Sequence, residues 1–260
     1  MTISRRSRHL HDLYTLTKRN IIYSIRNIDT LITTIVLPIV MMLLFVFVFG
    51  GAMNVGESIN YVDYVTPAII LLCIGYCAAT TSVSIQADMQ AGMVTRFRSM
   101  SISCSCILAA QVTASVIKNV LSTIIVMLVA LLIGFRPTAG LSEWGLIVVL
   151  LLAYILAFTW VALLFGLVAK TPESASVFGT IALFLPYLSS AFVPIETMPY
   201  ALQVFARYQP FTPITDTLRY LAVGIVDKTT LAISVAWIVG IGTAAYFISL
   251  FVYQNKQRRS

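Results

Sequence analysis

The residues that could carry chemistry are few and scattered. Cys73 and Cys77 would lie one turn apart on a helix, and Cys104-Ser105-Cys106 has the form of a thiolate clip. Neither pair finds a histidine or further thiolates to complete a tetrahedral metal site, so packing is the simpler role for both. One pair sits in an apolar block and the other on the segment placed below on the cytoplasmic side, and neither place favours a structural disulfide. His9 and His11 both lie in a basic N-terminal arm, outside any H-E-x-x-H pattern, and there is no G-x-S-x-G elbow. A phosphate-cradling G-x-x-x-x-G-K-[ST] loop is also absent from the sequence. We expect no catalytic residue, no metal and no cofactor bound by this chain. The 10 acids fall in loops or at the ends of apolar blocks, whereas ion-coupled carriers and channels keep ionisable groups inside them. Lys118, with Asn119 beside it, is the clear charge within such a block. Its amine either snorkels to the headgroups or serves a pathway or subunit contact.

The elements that must position these residues are membrane spans. The chain is 59% hydrophobic and 10% charged, with mean hydropathy +0.92, against about 25% charged residues in a soluble domain. Its net charge of +7 comes from short basic segments beside apolar blocks, with no separate basic domain, which argues against a nucleic-acid partner. A span needs roughly 20 apolar residues to cross about 30 Å of hydrocarbon. Blocks at residues 31–49, 67–85, 107–135, 144–169 and 231–253 meet that length, and a shorter one at 176–193 contains Pro186. These predict an all-α integral membrane protein of six transmembrane helices in one domain over residues 1–260. About 27 residues precede the first block and no small-x-small cleavage site follows it, so it reads as a retained span rather than a signal peptide. Ala162 and Gly166, and Ala236, Gly240 and Ala244, have the four-residue spacing of small residues that lets helices approach closely.

Orientation follows from flanking lysines and arginines. Arg5, Arg6, Arg8, Lys18, Arg19, Arg26, Arg96, Arg98, Lys170, Lys256, Arg258 and Arg259 fall on one side, against Arg136, Arg207, Arg219 and Lys228 on the other. Both termini are therefore expected in the cytoplasm of a multi-pass protein of the cell membrane.

Three segments outside the spans are informative. Residues 1–28 form a cytoplasmic segment in which Leu10, Leu13, Thr17, Ile21, Ile25 and Ile28 recur near helical spacing, as an interfacial amphipathic helix would have them. The alternative is an ordinary basic anchor for the first span. Residues 86–106 are polar and longer than a tight turn requires, consistent with a short cytoplasmic helix or a solvated loop. In residues 194–228, Thr212 suits an N-cap, Pro213 the first helical position and Gly224 the C-terminal end of a helix carrying Ile214, Leu218, Leu221 and Ile225. With a second short helix at 199–208, this segment is expected to be a re-entrant external hairpin. No internal repeat at a period of 20–50 residues is evident.

These residues resemble the permease subunits of type-2 ATP-binding-cassette exporters, in the branch of daunorubicin and multidrug resistance permeases. The run Tyr208-Gln209-Pro210-Phe211-Thr212-Pro213, continuing through Asp216, Leu218 and Arg219 to Gly224, is similar to that family's N-P-hydrophobic-T-P, LR and G signature before the last span, with Gln209 where asparagine is usual. Asp88, Gly92, Arg96 and Phe97, with Arg98 following, resemble its acidic-Gly-Arg cytoplasmic segment, although Met100-Ser101-Ile102-Ser103 stands where the family has further acids and a proline. The order of elements also matches. The resemblance implies that residues 86–106 couple the chain to a separate ABC ATPase subunit, present in two copies and carrying ATP and Mg. It further implies a second permease copy or paralogue, and outward movement of a drug, lipid or glycan precursor by alternating access. The competing reading is a membrane anchor or assembly subunit that docks a cytoplasmic partner and moves nothing.

Overall fold

The computed structural model describes residues 5–51, 60–91 and 104–259, and among these there is helix and turn but no strand. Helix α1 spans Arg5–Arg26. It is followed by α2, Ile28–Phe49, and then by α3, Tyr61–Gln90, α4, Cys104–Ile133, and α5, Leu141–Val168. Shorter helices come next: α6 at Pro172–Tyr187, α7 at Tyr200–Tyr208 and α8 at Phe211–Ala222. Helix α9, Lys228–Arg259, ends the fold. Five of the described helices, α2, α3, α4, α5 and α9, are long and apolar enough to cross a membrane.

Helix α3 is the axis of the bundle: 78% of its apolar stretch is buried, against 17% for α2 and for α9. It packs against α2, α4, α5, α6 and α8, while α9 lies on α5 and α8, and α1 lies along α4. This explains why α3 is apolar all round whereas α2 and α9 turn Val36, Val40, Phe47, Val239 and Phe247 outward. A helix surrounded by protein and one facing lipid both need apolar faces, and only their partners differ.

Helices α5 and α3 cross closely at Gly166 of α5, where an added Cβ would lie 2.0 Å from Ile85 Cγ2 and 2.5 Å from the Ser82 carbonyl oxygen of α3. Ala162, one turn earlier, is fully buried. In α9 the small residues Ala236, Gly240 and Ala244 do not make the packed face. They are exposed, and Ser234, Ile238, Gly242 and Ala245 turn toward the protein instead, with Gly242 against Ala157 of α5. Spacing alone leaves the direction of a small-residue stripe open, because the partner helix selects the face.

Two further boundaries differ from those read in the sequence. Helix α6 stops at Tyr187, and residues 188–193 turn away although the apolar block runs on to 193. Pro186 removes a backbone donor in the last turn, and Ser189 Oγ donates to the Pro186 carbonyl at 2.5 Å as the chain bends. Helix α8 begins at Phe211 after Pro210, so Thr212 is not its N-cap, and its hydroxyl accepts from Ser190 N at 3.3 Å instead.

Helix α2 is interrupted by π-helical stretches at Ile32–Val36 and Leu44–Phe49, on either side of a segment containing Pro38. Proline has no N–H to offer the carbonyl four residues back, here Thr34. Cys73 Sγ and Cys77 Sγ of α3 donate to that carbonyl at 3.5 and 4.0 Å. The thiol pair thus fastens α3 to the irregular turn of α2. Among the described residues no cluster of three or more His, Cys, Asp or Glu could hold a metal.

Candidate functional site

The sequence-derived site residues fall at two ends of the bundle and at one place between. Asp88 lies near the end of α3, and Gly92, Arg96, Phe97 and Arg98 lie outside the described residues. Pro210, Thr212, Pro213, Asp216, Leu218, Arg219 and Gly224 gather in and around α8 at the opposite end. From Tyr64, where α8 is anchored, to Asp88 is 24 residues of helix α3, or about 36 Å. Lys118 and Asn119 sit on α4 between the two ends, and they point apart: Lys118 lines a cavity, and Asn119 is fully buried with its amide donating to the Ser115 carbonyl at 3.2 Å.

At the α8 end, Arg219 ties three segments together. Its Nε donates to the Tyr64 carbonyl at 2.9 Å, and one terminal nitrogen donates to the carbonyls of Ser190 and Ala191, each at 2.7 Å. The other pairs with Asp216 at 2.8 Å, and the guanidinium lies 3.5 Å from the centroid of the Tyr64 ring. Tyr64 Oη and Ser190 Oγ extend the network, donating to the Ser190 carbonyl at 2.8 Å and to Asp216 at 2.9 Å. Only a planar fork of donors satisfies three carbonyls and a carboxylate together. Burial pushes the Asp216 carboxyl above its ordinary range, although Arg219 and the Ser190 hydroxyl pull it back. Gly224, at φ +77°, closes α8: its N–H meets the Leu221 carbonyl at 3.1 Å and Ile225 N meets the Tyr220 carbonyl at 2.8 Å. A left-handed residue carrying this pair of bonds is a Schellman ending, which favours glycine.

At the α1 end lies a cavity of about 840 Å³ between α1, the start of α2, the second half of α3, α4 and α6. Its α3 wall runs from Tyr76 to Ala91, about 22 Å along the helix axis. Near its mouth Arg19 of α1 pairs with Asp88 at 3.4 Å. Beside it, Asn20 donates to Gln111 Oε1 at 2.6 Å, and Gln111 Nε2 donates to Ser84 Oγ at 3.1 Å. Further in, Lys118 Nζ donates to Thr80 Oγ1 at 2.5 Å. Helix α1 is therefore fixed to α3 and α4 by polar contacts as well as by buried Leu16.

Sequence reasoning singled out Lys118 and Asp88 but missed Arg19, Asn20, Thr80, Ser84 and Gln111. Their signal was available in one form: Gln111 and Ser115 are polar residues within an apolar block on the same helical side as Lys118, at i, i+4 and i+7. Only the packing of α1 and α3 against that side makes it a cavity wall.

A cavity between apolar helices with polar residues along its walls is the kind of site a membrane transport subunit has. Residues 11–223 match the family of ABC-2 type transporters, and the chain belongs to that family. Membership makes it a multi-pass membrane permease and implies a separate ABC ATPase as partner. A relative is the daunorubicin resistance ABC transporter permease protein DrrB1 of Streptomyces coeruleorubidus, 25% identical over 229 residues that cover 87% of this chain and 80% of the relative.

Proposed function

We propose that this chain is the transmembrane subunit of an ATP-driven exporter that moves an amphiphilic substrate outward by alternating access. The observation that carries the reading is the 840 Å³ cavity at the α1 end, facing a hairpin end held shut by the Arg219 network. This supports a carrier open on one side. The basic residues around α1 and α9 support a cytoplasmic cavity end, and the likeness to a drug-resistance permease supports an amphiphilic, drug-like cargo.

In this reading α6 is a sixth span, short and bent at its proline, α1 is an interfacial helix, and α7 with α8 forms a hairpin re-entering the outer leaflet. Residues 86–106 and α1 take the push of the ATPase. Arg19–Asp88 joins the two, and Asn20–Gln111–Ser84 ties α1 to α4 and α3, so movement of α1 is felt along the cavity wall. Two permeases work with two ATPases, and ATP with Mg is held by the ATPases alone.

The test is purification of the tagged chain from its native membrane followed by vesicle transport. An ABC ATPase should co-purify, and substrate should move only with ATP. Substitutions at Arg19 and Asp88 that leave the complex assembled should slow movement. An assembled complex that moves nothing would favour the anchoring reading.

A further inference from the structure

The cavity contains a cation, Lys118, that makes no ion pair among the described residues. Lys118 Nζ has three donors, of which Thr80 Oγ1 takes one at 2.5 Å. The ion pairs among the described residues are Arg19–Asp88 and Asp216–Arg219, so no described carboxylate lies within ion-pair distance of Lys118. Along α3, Thr80 is eight residues further in than Asp88, or about 12 Å, so the amine sits well inside the cavity from its mouth. An ammonium held at such depth without an anion is costly in a membrane span, and such groups are kept where a ligand or pathway uses them.

The surroundings of Lys118 suit an anionic headgroup. The Thr80 hydroxyl donates to the Cys77 carbonyl at 2.8 Å while accepting from Lys118, and Thr33 Oγ1 donates to the Asp29 carbonyl at 2.7 Å, whereas the lining hydroxyl of Ser84, which accepts from Gln111 Nε2, keeps its proton to offer a phosphate or carboxylate oxygen. Apolar lining from Tyr76, Ala79 and Val83 stands alongside them. At the depth of Cys77 and Cys73, whose thiols reach the Thr34 carbonyl, α2 turns Ile32 and Val36 outward, 49% and 47% exposed, giving an apolar flank for a tail. The second lining carboxylate, Asp29, is exposed in the first turn of α2 and makes no ion pair with Lys118.

We propose that the cavity binds amphiphiles carrying a phosphate or carboxylate group, with Lys118, positioned by its bond to the Thr80 hydroxyl, as the anion-recognising group. This rests on the exporter reading and names the chemical class of its cargo. A cationic amphiphile would place its charge against the Lys118 ammonium and is discriminated against.

The experiment uses the full chain with its ATPase in phosphatidylcholine nanodiscs and three probes: dodecyl phosphate, dodecyltrimethylammonium and phosphatidic acid. Dodecyl phosphate is expected to bind more tightly than dodecyltrimethylammonium. Lys118→Gln should weaken dodecyl phosphate by about tenfold or more, the loss of one charge-assisted contact, while Lys118→Arg retains most of the affinity. Displacement of dodecyl phosphate by phosphatidic acid would identify a membrane lipid as the source of the anion; binding that phosphatidic acid cannot displace would identify a soluble amphiphile. Unchanged dodecyl phosphate affinity in a folded Lys118→Gln, or tighter binding of dodecyltrimethylammonium by the unmodified protein, overturns the proposal. The second comparison needs no variant, so instability of Lys118→Gln does not remove the test. ATP-dependent transport separates the two readings. Anion binding at Lys118 without transport of any substrate would sink the exporter reading alone, and transport without anion preference would sink the site alone.

Discussion

Replacing Arg219 by alanine removes at one stroke the donors to the carbonyls of Tyr64, Ser190 and Ala191 and the partner of Asp216. The side chain is only 14% exposed, and Asp216 is 27% exposed, so water compensates poorly for the lost contacts. Breaking a buried charged pair in this way costs about 3–5 kcal/mol, because the groups left behind are desolvated and unpaired. On the scale of about 2–4 °C per kcal/mol for a chain of this length, the melting temperature should fall by about 6–20 °C. Arg219→Lys keeps the charge but has no fork, so it should lie between the wild type and Arg219→Ala. The assay is thermal unfolding of the purified protein by tryptophan fluorescence, run beside ATPase co-purification and vesicle transport. Because the Tyr64 anchor is about 36 Å from Asp88 along α3, transport should fall well before ATPase binding does. A melting temperature within 1–2 °C of wild type for Arg219→Ala, on the same scale, would refute the lock. Equal loss of transport and ATPase binding would make the hairpin a requirement for folding only.

Three further outcomes are expected. Gly166→Ala forces a methyl group to 2.5 Å from the Ser82 carbonyl and should destabilise by about 1–3 kcal/mol in a melting assay, whereas Gly240→Ala, with nothing within 4 Å, should be neutral. Asn20→Ala and Gln111→Ala should be non-additive in stability by about 0.5–1.5 kcal/mol, since they remove the same 2.6 Å bond, and additive values would mean that α1 is held in place by packing alone. Gly224→Ala imposes a side chain at φ +77° and should cost about 1 kcal/mol, read as a shift in the unfolding midpoint.

Much of the architecture was legible in residue order because lipid and water impose a coarse rule: long apolar blocks must be helices, and their ends must be polar. The blocks at 67–85 and 144–169 lie wholly within α3 and, but for the last residue, α5. Where a helix was chosen by its neighbours, the rule gave no direction. The stripe Ala236, Gly240 and Ala244 looked like the contact face of α9, yet the contact is made by the adjacent face, because periodicity measures only that a face exists. Thr212 looked like a cap, yet its hydroxyl is taken by Ser190, 22 residues earlier, a partner that no local pattern could supply.

The sequence by itself determined that this protein lives in the bilayer, as a multi-pass chain of long apolar helices. Its Asp216, Arg219 and Gly224 pattern also pointed to the family. Tertiary structure alone decided that α3 is the axis, that Arg219 reaches the backbone of Tyr64 and of Ser190, and that Lys118 lines a cavity walled in part by α1. The reason is physical: composition sets which solvent a segment prefers, whereas the position of a buried charge depends on which other segments exclude water from it, and those lie up to 155 residues away in the chain.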